Sequence, residues 1–287
     1  MRLRKALTLF AVVAMLFLIL GVNSTLMAEN EGKILSVKHE IITKGLPLVG
    51  PVVVNHTQEF QGTDLCRSVR TSQITMNDSV MSNVVVVNIT DLKNNEQYYI
   101  NPTTKVYAVS KFDPSVFPVI DEAADAKGPQ IDITETGKTK EIDGLKCREI
   151  HFKLELPSHT GVGDAKVKHY FEGTMWVTRD VPNSELYSQY NVHAQEYLRG
   201  SGYNGGGFYD ILNRLDVDQY NLVKLVKAMD GIPVEASFVA QLPSEGGGNV
   251  FQTTIKLVEY NNKPFPQGNF KAPADYQEIP LKDFRSF

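Results

Sequence analysis

The histidines of this chain are the residues best suited to metal or acid–base chemistry, and all six are dispersed along it. His159, Asp164 and His169 come nearest to a metal-ligand set, because they flank a glycine-bearing turn that could join two strands. Structural zinc sites usually show closer pairs of ligands and more cysteine. Exposed histidines at strand ends are the simpler interpretation, so no metal site is predicted.

Glycine and serine motifs give no catalytic signal either. Gly200, Gly202 and Gly205 spell G-x-G-x-x-G, but the dinucleotide-binding form of this motif needs a buried strand before it. A charged, amphipathic segment precedes the motif in this chain, so we interpret the glycines as a linker. There is no G-x-S-x-G motif, and no carboxylate stands in an apolar stretch that would tune its pKa for catalysis. The sequence therefore predicts no catalytic residue, no cofactor and no enzyme.

Cys66 and Cys147 are the only cysteines. Two cysteines of an exported protein can pair, and a loop of this length would be worth up to about 4–5 kcal/mol in the chain-entropy model. The alternative is two buried, unpaired thiols. The sequence leaves both open, because it does not show whether the two Cα atoms approach each other.

The first 28 residues predict export. Arg2, Arg4 and Lys5 form a basic start, Ala6–Leu20 is apolar except for Thr8, and a short polar stretch ends at Ala28. This is the layout of a signal peptide, which leaves residues 29–287 as a single domain in the periplasm. Secretion, or anchoring by an uncleaved leader, are the alternatives, although the apolar run is shorter than the roughly 20 residues that span a bilayer.

Charge excludes one class of partner. Removing the leader subtracts three basic residues from 29 and leaves 26 against 33 acidic ones. A net negative chain lacks the clustered Lys and Arg that nucleic acid requires. Contact with the membrane is expected only through the leader or a ligand.

Short segments rich in Val, Ile, Thr and Tyr predict strands over most of residues 32–110 and 131–178, and again at Val234–Leu242 and Val250–Tyr260. Asp143-Gly144 is the clearest hairpin signal. The run Val84–Val87 does not alternate and predicts a strand buried on both faces. Phe270–Ile279 is expected to be an edge strand or a packed extension.

Two helices are predicted between these strands. Asn183 or Ser184 can cap one that runs to about Arg199. A second runs from Phe208 to Met229, where Gly231 and Pro233 stop it. Trp176 and the tyrosines of the first helix, Tyr187, Tyr190 and Tyr197, fit either a packed core or the wall of an apolar pocket.

Several short motifs resemble an uncharacterised family of exported bacterial proteins. They are Gly144-Leu145-Lys146-Cys147-Arg148, Gly173-Thr174-Met175-Trp176-Val177, Asp180-Val181-Pro182, and Phe270, Pro273, Ala274 and Tyr276 near the C-terminus. That family is similar in fold to the periplasmic lipoprotein carriers of the Lol system, the LolA/LolB-like proteins. The resemblance implies a curved, unclosed antiparallel sheet with helices packed in its concave side.

We therefore expect an α+β fold: an open antiparallel half-barrel with two or three helices on its concave side. The first functional hypothesis is a non-enzymatic periplasmic protein with an apolar pocket for a lipid or other hydrophobic ligand. The alternative is an interaction module of the cell envelope, with a filled core, no ligand and another envelope protein as its partner.

Overall fold

The computed structural model describes residues 32–45, 50–76, 79–113, 131–160, 166–197, 219–242 and 249–284. Its strands are β1 Ile34–Lys44, β2 Val52–Gln61, β3 Leu65–Met76, β4 Ser79–Asp91, β5 Glu96–Asn101, β6 Val106–Lys111, β7 Asp132–Ile142, β8 Leu145–Thr160, β9 Lys166–Thr178, β10 Ile232–Leu242, β11 Asn249–Asn261 and β12 Gln277–Glu278. Its helices are α1 Ser184–Tyr197, α2 Gln219–Met229 and α3 Leu281–Phe284. The leader, the side chains of His159, Asp164 and His169, and the stretch Gly200–Gly207 lie outside the described part of the chain.

The twelve strands form one sheet in the order β12-β6-β5-β4-β3-β2-β1-β11-β10-β9-β8-β7. All neighbours are antiparallel except β12 and β6, which are parallel. Within the described ranges β12 and β7 are the two ends of this order and do not pair, so the sheet is open. The open α+β half-barrel expected from the sequence is confirmed.

Turn residues account for the tight connections of the sheet. Asp143 and Gly144 have φ angles of +49° and +81° in the β7–β8 hairpin, as a type I′ turn requires. The hairpin predicted at this dipeptide is therefore confirmed. In the β4–β5 turn, the Asp91 carboxylate accepts a hydrogen bond from the backbone N–H of Asn94 at 2.9 Å, which satisfies a donor that has left the strand ladder.

Both predicted helices are present where the structure describes them. α1 begins at Ser184, and Glu185 in its first turn favours the positive end of the helix dipole. α2 ends at Met229, just before Gly231, whose φ is +149° and whose added Cβ would lie 2.5 Å from the Thr178 carbonyl oxygen. The N–H of Gly231 donates to Ser188 Oγ at 2.7 Å and so ties the end of α2 to α1.

The prediction that Val84–Val87 is buried on both faces is wrong. The side chain of Val84 is 48% exposed, whereas that of Val87 is buried. β5 pairs with β4 only over Val87–Asp91, so Val84 lies beyond that pairing. On the convex face, Val87 belongs to a cluster that Phe270 and Tyr276 of the C-terminal tail pack against.

The C-terminal tail wraps around one edge of the sheet. After Phe270 and Tyr276, the N–H groups of Gln277 and Ile279 donate to carbonyls of the β5–β6 turn and of β6. Phe284 then contacts Tyr99 with ring centroids 6.1 Å apart. The edge strand expected within 270–279 is therefore confirmed at Gln277–Glu278, where it protects the edge of β6.

Candidate functional site

The face of the sheet that carries α1 and α2, which we call the concave face, is apolar across β8–β11. Directly paired residues of neighbouring strands point to the same side of a sheet, so the register defines rows of side chains. The first three rows hold buried apolar residues, which we call the apolar floor: Ile150, Met175, Ala236 and Ile255; Phe152 and Phe238; Leu154, Phe171, Ala240 and Phe251.

Three aromatic rings form the centre of the apolar floor. Phe152 stacks on Phe171 with centroids 4.8 Å apart, and Phe238 meets Phe171 edge to face at 5.2 Å. In the middle row, Gly173 of β9 lies between Phe152 of β8 and Phe238 of β10. A Cβ there would lie 2.4 Å from Phe238 Cβ and 2.8 Å from Phe152 Cζ. Only glycine lets the rings cover the backbone at this point, an arrangement known from other sheets.

α2 covers the apolar floor. Leu222, Leu225, Val226 and Met229 of this helix belong to the same core cluster as the floor residues. The helix has 11 residues, and isolated helices shorter than about 12–15 residues are marginal in water. Its position therefore depends on the contacts it makes with the rest of the protein.

Polar contacts fix α2 at both ends. Near its start, Asn221 Oδ1 accepts from the N–H of Ile131 at 2.7 Å, and Lys224 Nζ donates to the Ile131 carbonyl at 3.0 Å. At its end, Arg148 Nη2 donates to the carbonyls of Ala228, at 3.1 Å, and Met229. The guanidinium thus satisfies carbonyls that have no partner inside the helix and complements the helix dipole.

Beyond β1 the concave face becomes polar. One row of the register contains Gln58, Ser68, Asn88 and Tyr99, on β2, β3, β4 and β5. The adjoining rows add His39, His56 and Arg70 on one side and Thr90 and Gln97 on the other. We call His56, Gln58, Ser68, Asn88, Thr90 and Gln97, all of them buried, the polar floor.

The polar floor is hydrogen-bonded internally. His56 Nε2 and Ser68 Oγ are 2.8 Å apart, and the Tyr99 hydroxyl donates to Gln97 Oε1 at 2.8 Å. Beside it, His39 Nε2 donates to the Pro233 carbonyl at 2.8 Å. Burial lowers the pKa of His39 to about 4, and burial together with the charge of Arg70 holds the pKa of His56 well below its usual range. Both imidazoles are therefore neutral at neutral pH.

A small void marks the seam between the two floors. It measures about 10 Å³ and is lined by His39, His56, Gln58 and Tyr187, among others. This is close to the volume that a single water molecule needs, and a polar wall of this kind suits one. α1 closes the seam from above.

The structure places two of the predicted pocket residues against the concave face. Tyr187 and Tyr190 of α1 are buried and meet Phe60 edge to face, with centroids 5.7 and 5.4 Å away. The side chain of Tyr197 lies outside the described part of the chain. Tyr187 and Tyr190 cover the seam rather than the apolar floor.

Trp176 projects from the opposite face of β9, because its neighbours Met175 and Val177 already point into the concave side. Its ring is covered by the ammonium group of Lys140, 4.4 Å from the ring centroid, a favourable cation–π contact. Trp176 is partly buried and packs against the core cluster that also contains Tyr187 and Tyr190.

Cys66 and Cys147 are free and buried. Cys66 pairs with Phe60 across β2 and β3 and so faces the concave side. Cys147 lies on β8, six strand positions away in the order β3-β2-β1-β11-β10-β9-β8. Of the two alternatives that the sequence leaves open, the structure has the unpaired thiols.

A shallow groove of about 440 Å³ lies across β7–β10, with His151, Lys153, Glu172 and Thr174 in its lining. His151 Nε2 and Thr174 Oγ1 are 2.7 Å apart, which brings an imidazole next to a hydroxyl. On β8, β9 and β10, which have a paired strand on either side, the ladders use the backbone N–H groups beneath this groove. Those N–H groups cannot form the oxyanion hole that acyl transfer needs.

Several residues of this site could not be recognised in the sequence. Arg148 lies in the Gly-x-x-Cys motif, but the Met229 carbonyl it binds is 81 residues away.

Among the described residues, no group of three or more His, Cys, Asp or Glu side chains could hold a metal ion. Nor do the described ranges contain a helix long and apolar enough to span a membrane.

No protein-family model and no curated protein matches the chain. Among solved structures it is similar to LprF from Mycobacterium bovis, with 12% identity, a TM-score of 0.31 and coverage of 87% of this chain and 93% of that one. It is also similar to a LolA superfamily protein from Nitrosomonas europaea, with 7% identity, a TM-score of 0.27 and coverage of 86% and 96%. A third is a putative outer membrane lipoprotein-sorting protein domain from Vibrio parahaemolyticus, with 9% identity, a TM-score of 0.25 and coverage of 88% and 95%. At these identities the likeness concerns the fold alone.

Proposed function

We propose that this chain, after loss of its leader, is a non-enzymatic binding protein of the periplasm that holds a lipid or other hydrophobic ligand on the apolar floor. One observation supports the proposal above others. Within the described ranges, a continuous apolar surface of four strands is closed by one 11-residue helix, α2. In this mechanism α2 moves aside and the ligand takes its place.

The free energies involved make this exchange feasible. Exposing Leu222, Leu225, Val226 and Met229 of α2 costs on the order of 6–12 kcal/mol, at about 1.5–3 kcal/mol for each side chain. An acyl chain of about 15 methylenes gains on the order of 12 kcal/mol when it is buried, at about 0.8 kcal/mol each. The ligand can therefore compensate for the displaced helix while the sheet keeps its strand pairing.

The competing hypothesis is an interaction module of the cell envelope. One observation favours it: α2 covers the apolar floor, and every side chain of the three rows named above is buried. On this hypothesis α2 never leaves, and the chain acts through its surface. The two hypotheses predict opposite behaviour when α2 is weakened.

A pair of truncations separates the hypotheses. Leu225→Ala weakens α2 and Phe171→Ala weakens the floor, and each removes a fully buried side chain at a stability cost of about 2–5 kcal/mol. If α2 must leave for the ligand to bind, Leu225→Ala lowers the cost of opening and tightens apparent affinity by roughly tenfold or more. Phe171→Ala instead removes ligand contacts and weakens binding.

The measurement is displacement of a fluorescent fatty acid, together with native mass spectrometry of residues 29–287 before and after organic extraction. A co-purified lipid mass that extraction removes, with opposite shifts for the two variants, supports a binding protein. An unliganded mass that persists after incubation with lipid extract, and no displacement by any variant, favours the interaction module.

A further inference from the structure

A buried hydrogen-bond acceptor in the polar floor has no donor. Asn88 is 93% buried, and among the described residues its Oδ1 atom has no hydrogen-bond partner. Asn191 of α1 is in the same state: its Nδ2 donates to the Tyr187 carbonyl at 2.7 Å, but its Oδ1 finds no donor within the described ranges. Such atoms are rare in folded proteins, and each calls for an explanation.

The hydroxyl groups beside Asn88 form hydrogen bonds with other residues. Ser68, its partner on β3, shares its hydroxyl with His56 Nε2 at 2.8 Å. Tyr99, its partner on β5, donates its hydroxyl to Gln97 Oε1 at 2.8 Å. Neither hydroxyl forms a hydrogen bond with Asn88 Oδ1, so the bond that this atom can still accept comes from outside these neighbours.

The position of Asn88 relates it to the proposed ligand. β1 carries Ile41 in the row of the apolar floor and His39 in the row of His56. The two floors thus meet at β1, within one continuous sheet. A ligand whose chain lies on the apolar floor has its polar end directed along the same concave face, toward β4.

We propose that the polar floor at Asn88 binds the head group of the ligand, and that this head group is uncharged and donates a hydrogen bond through a hydroxyl or an amide N–H. The proposal rests on the function proposed above. An anionic head group would bring its acceptor oxygens against the Asn88 acceptor. A cationic one would be repelled by the guanidinium of Arg70, which lies in the adjoining row of side chains. The anionic one would be attracted by Arg70 but has no hydrogen to donate, so the Asn88 acceptor would stay unpaired.

The test uses probes of one chain length that differ only in their head groups: oleyl alcohol, its methyl ether, oleate and oleylamine. Binding is measured by displacement of a fluorescent fatty acid from the mature chain. The alcohol should bind roughly three- to tenfold more tightly than the ether, the effect of one hydrogen bond to a neutral acceptor. Oleate and oleylamine should bind more weakly than the alcohol.

Asn88→Leu should abolish the preference for the alcohol, because it removes the acceptor while keeping the volume. The matched control is Asn55→Leu, at the convex face of β2, where Asn55 pairs with Glu40 and Thr71; it should keep the preference. Circular dichroism and a thermal melt establish that each variant is folded. If a Leu variant is not, alanine at the same position, which also removes the amide acceptor, replaces it.

Each other result overturns the proposal. Equal binding of alcohol and ether, or a preference that survives Asn88→Leu, would mean that Asn88 holds only a water molecule, while the hydrophobic-ligand function would stand. Failure of all four probes to bind the wild-type chain would overturn the hydrophobic-ligand function as well.

Discussion

The C-terminal end of α2 is the most direct place to test whether this helix is a movable cover. Arg148→Ala removes the guanidinium that donates to the carbonyls of Ala228 and Met229. It also removes the ion pair of that guanidinium with Glu135. The substitution leaves the apolar contacts of α2 with the floor in place, so its effect reports on the polar contact alone.

The expected loss follows from the kind of hydrogen bond. Bonds that involve a charged group contribute about 1.5–3 kcal/mol net. The Arg148 side chain is 24% exposed, and partial exposure to solvent places the contribution at the lower end of that range. We expect the free energy of opening of α2 to fall by about 1.5–2 kcal/mol. This corresponds to a roughly 10- to 30-fold larger equilibrium constant for opening.

Hydrogen exchange measured by mass spectrometry resolves this change by segment. Amides of α2 should exchange roughly 10- to 30-fold faster in Arg148→Ala, while those of β9 and β10 keep their rates, because opening of a local unit is independent of global unfolding. The control is Lys153→Ala. This residue is also on β8 but is exposed on the other face, where its ammonium group pairs with Glu155 at 2.7 Å.

Two results would refute this reasoning. Unchanged exchange in α2 would show that Arg148 does not hold the helix. Equal acceleration in α2, β9 and β10 would show that Arg148 stabilises the whole domain, and that α2 opens only when the sheet unfolds. The second result would also remove the structural basis for ligand exchange beneath α2.

Three further predictions concern single buried groups. Burial raises the pKa of both the Cys66 and Cys147 thiols, so a thiol reagent should count none in the native protein and two in unreduced protein in denaturant; none in denaturant would reveal a disulfide. Gly173→Ala should cost at least about 1–3 kcal/mol in a denaturant melt, because its Cβ meets atoms at 2.4 Å, whereas Gly32→Ala, with open space around it, should be neutral; equal stability of the two variants would contradict the packing. His39 has a pKa of about 4 in the folded state, against its ordinary value of 6.5. Its contribution to stability is therefore present above pH 6.5 and is lost as pH falls toward 4, by about 3 kcal/mol; thermal melts across this range should show a smaller loss in His39→Gln, and an identical loss would be inconsistent with burial of the neutral imidazole.

Local signals in the sequence were sufficient for most of the strands and for α1 and α2, but not for the short helix α3. The period of two along β8 correctly assigns Ile150, Phe152 and Leu154 to one face, because each strand residue responds mainly to the side it faces. Asp143 and Gly144 were recognisable because few residues adopt positive φ at low cost. The same local rule failed at Val84, which lies beyond the part of β4 that pairs with β5, because the length of a neighbouring strand cannot be recognised in the run itself.

The candidate site was not predictable in the same way. Gln58, Ser68 and Asn88 look in the sequence like solvent-facing positions of ordinary amphipathic strands. They are buried because the register places them in one row of the concave face, and register is a property of strand pairing rather than of any single segment. Trp176, which the sequence leaves as either core or pocket wall, projects from the other face of β9, because strand alternation sets the direction of its side chain.

A concave face divided into two floors suggests how such a protein would discriminate between ligands. Along the apolar floor each methylene contributes only about 0.8 kcal/mol, so chains of similar length bind almost equally. A buried polar group that is left unpaired costs about 1–3 kcal/mol, so a head group that fails to satisfy it is rejected more strongly than a chain that is one carbon too short. The buried polar row is therefore costly for folding but is the part of this interior that can provide specificity. A polar floor beside an apolar floor is more consistent with binding of an amphiphile than with a core built for stability alone.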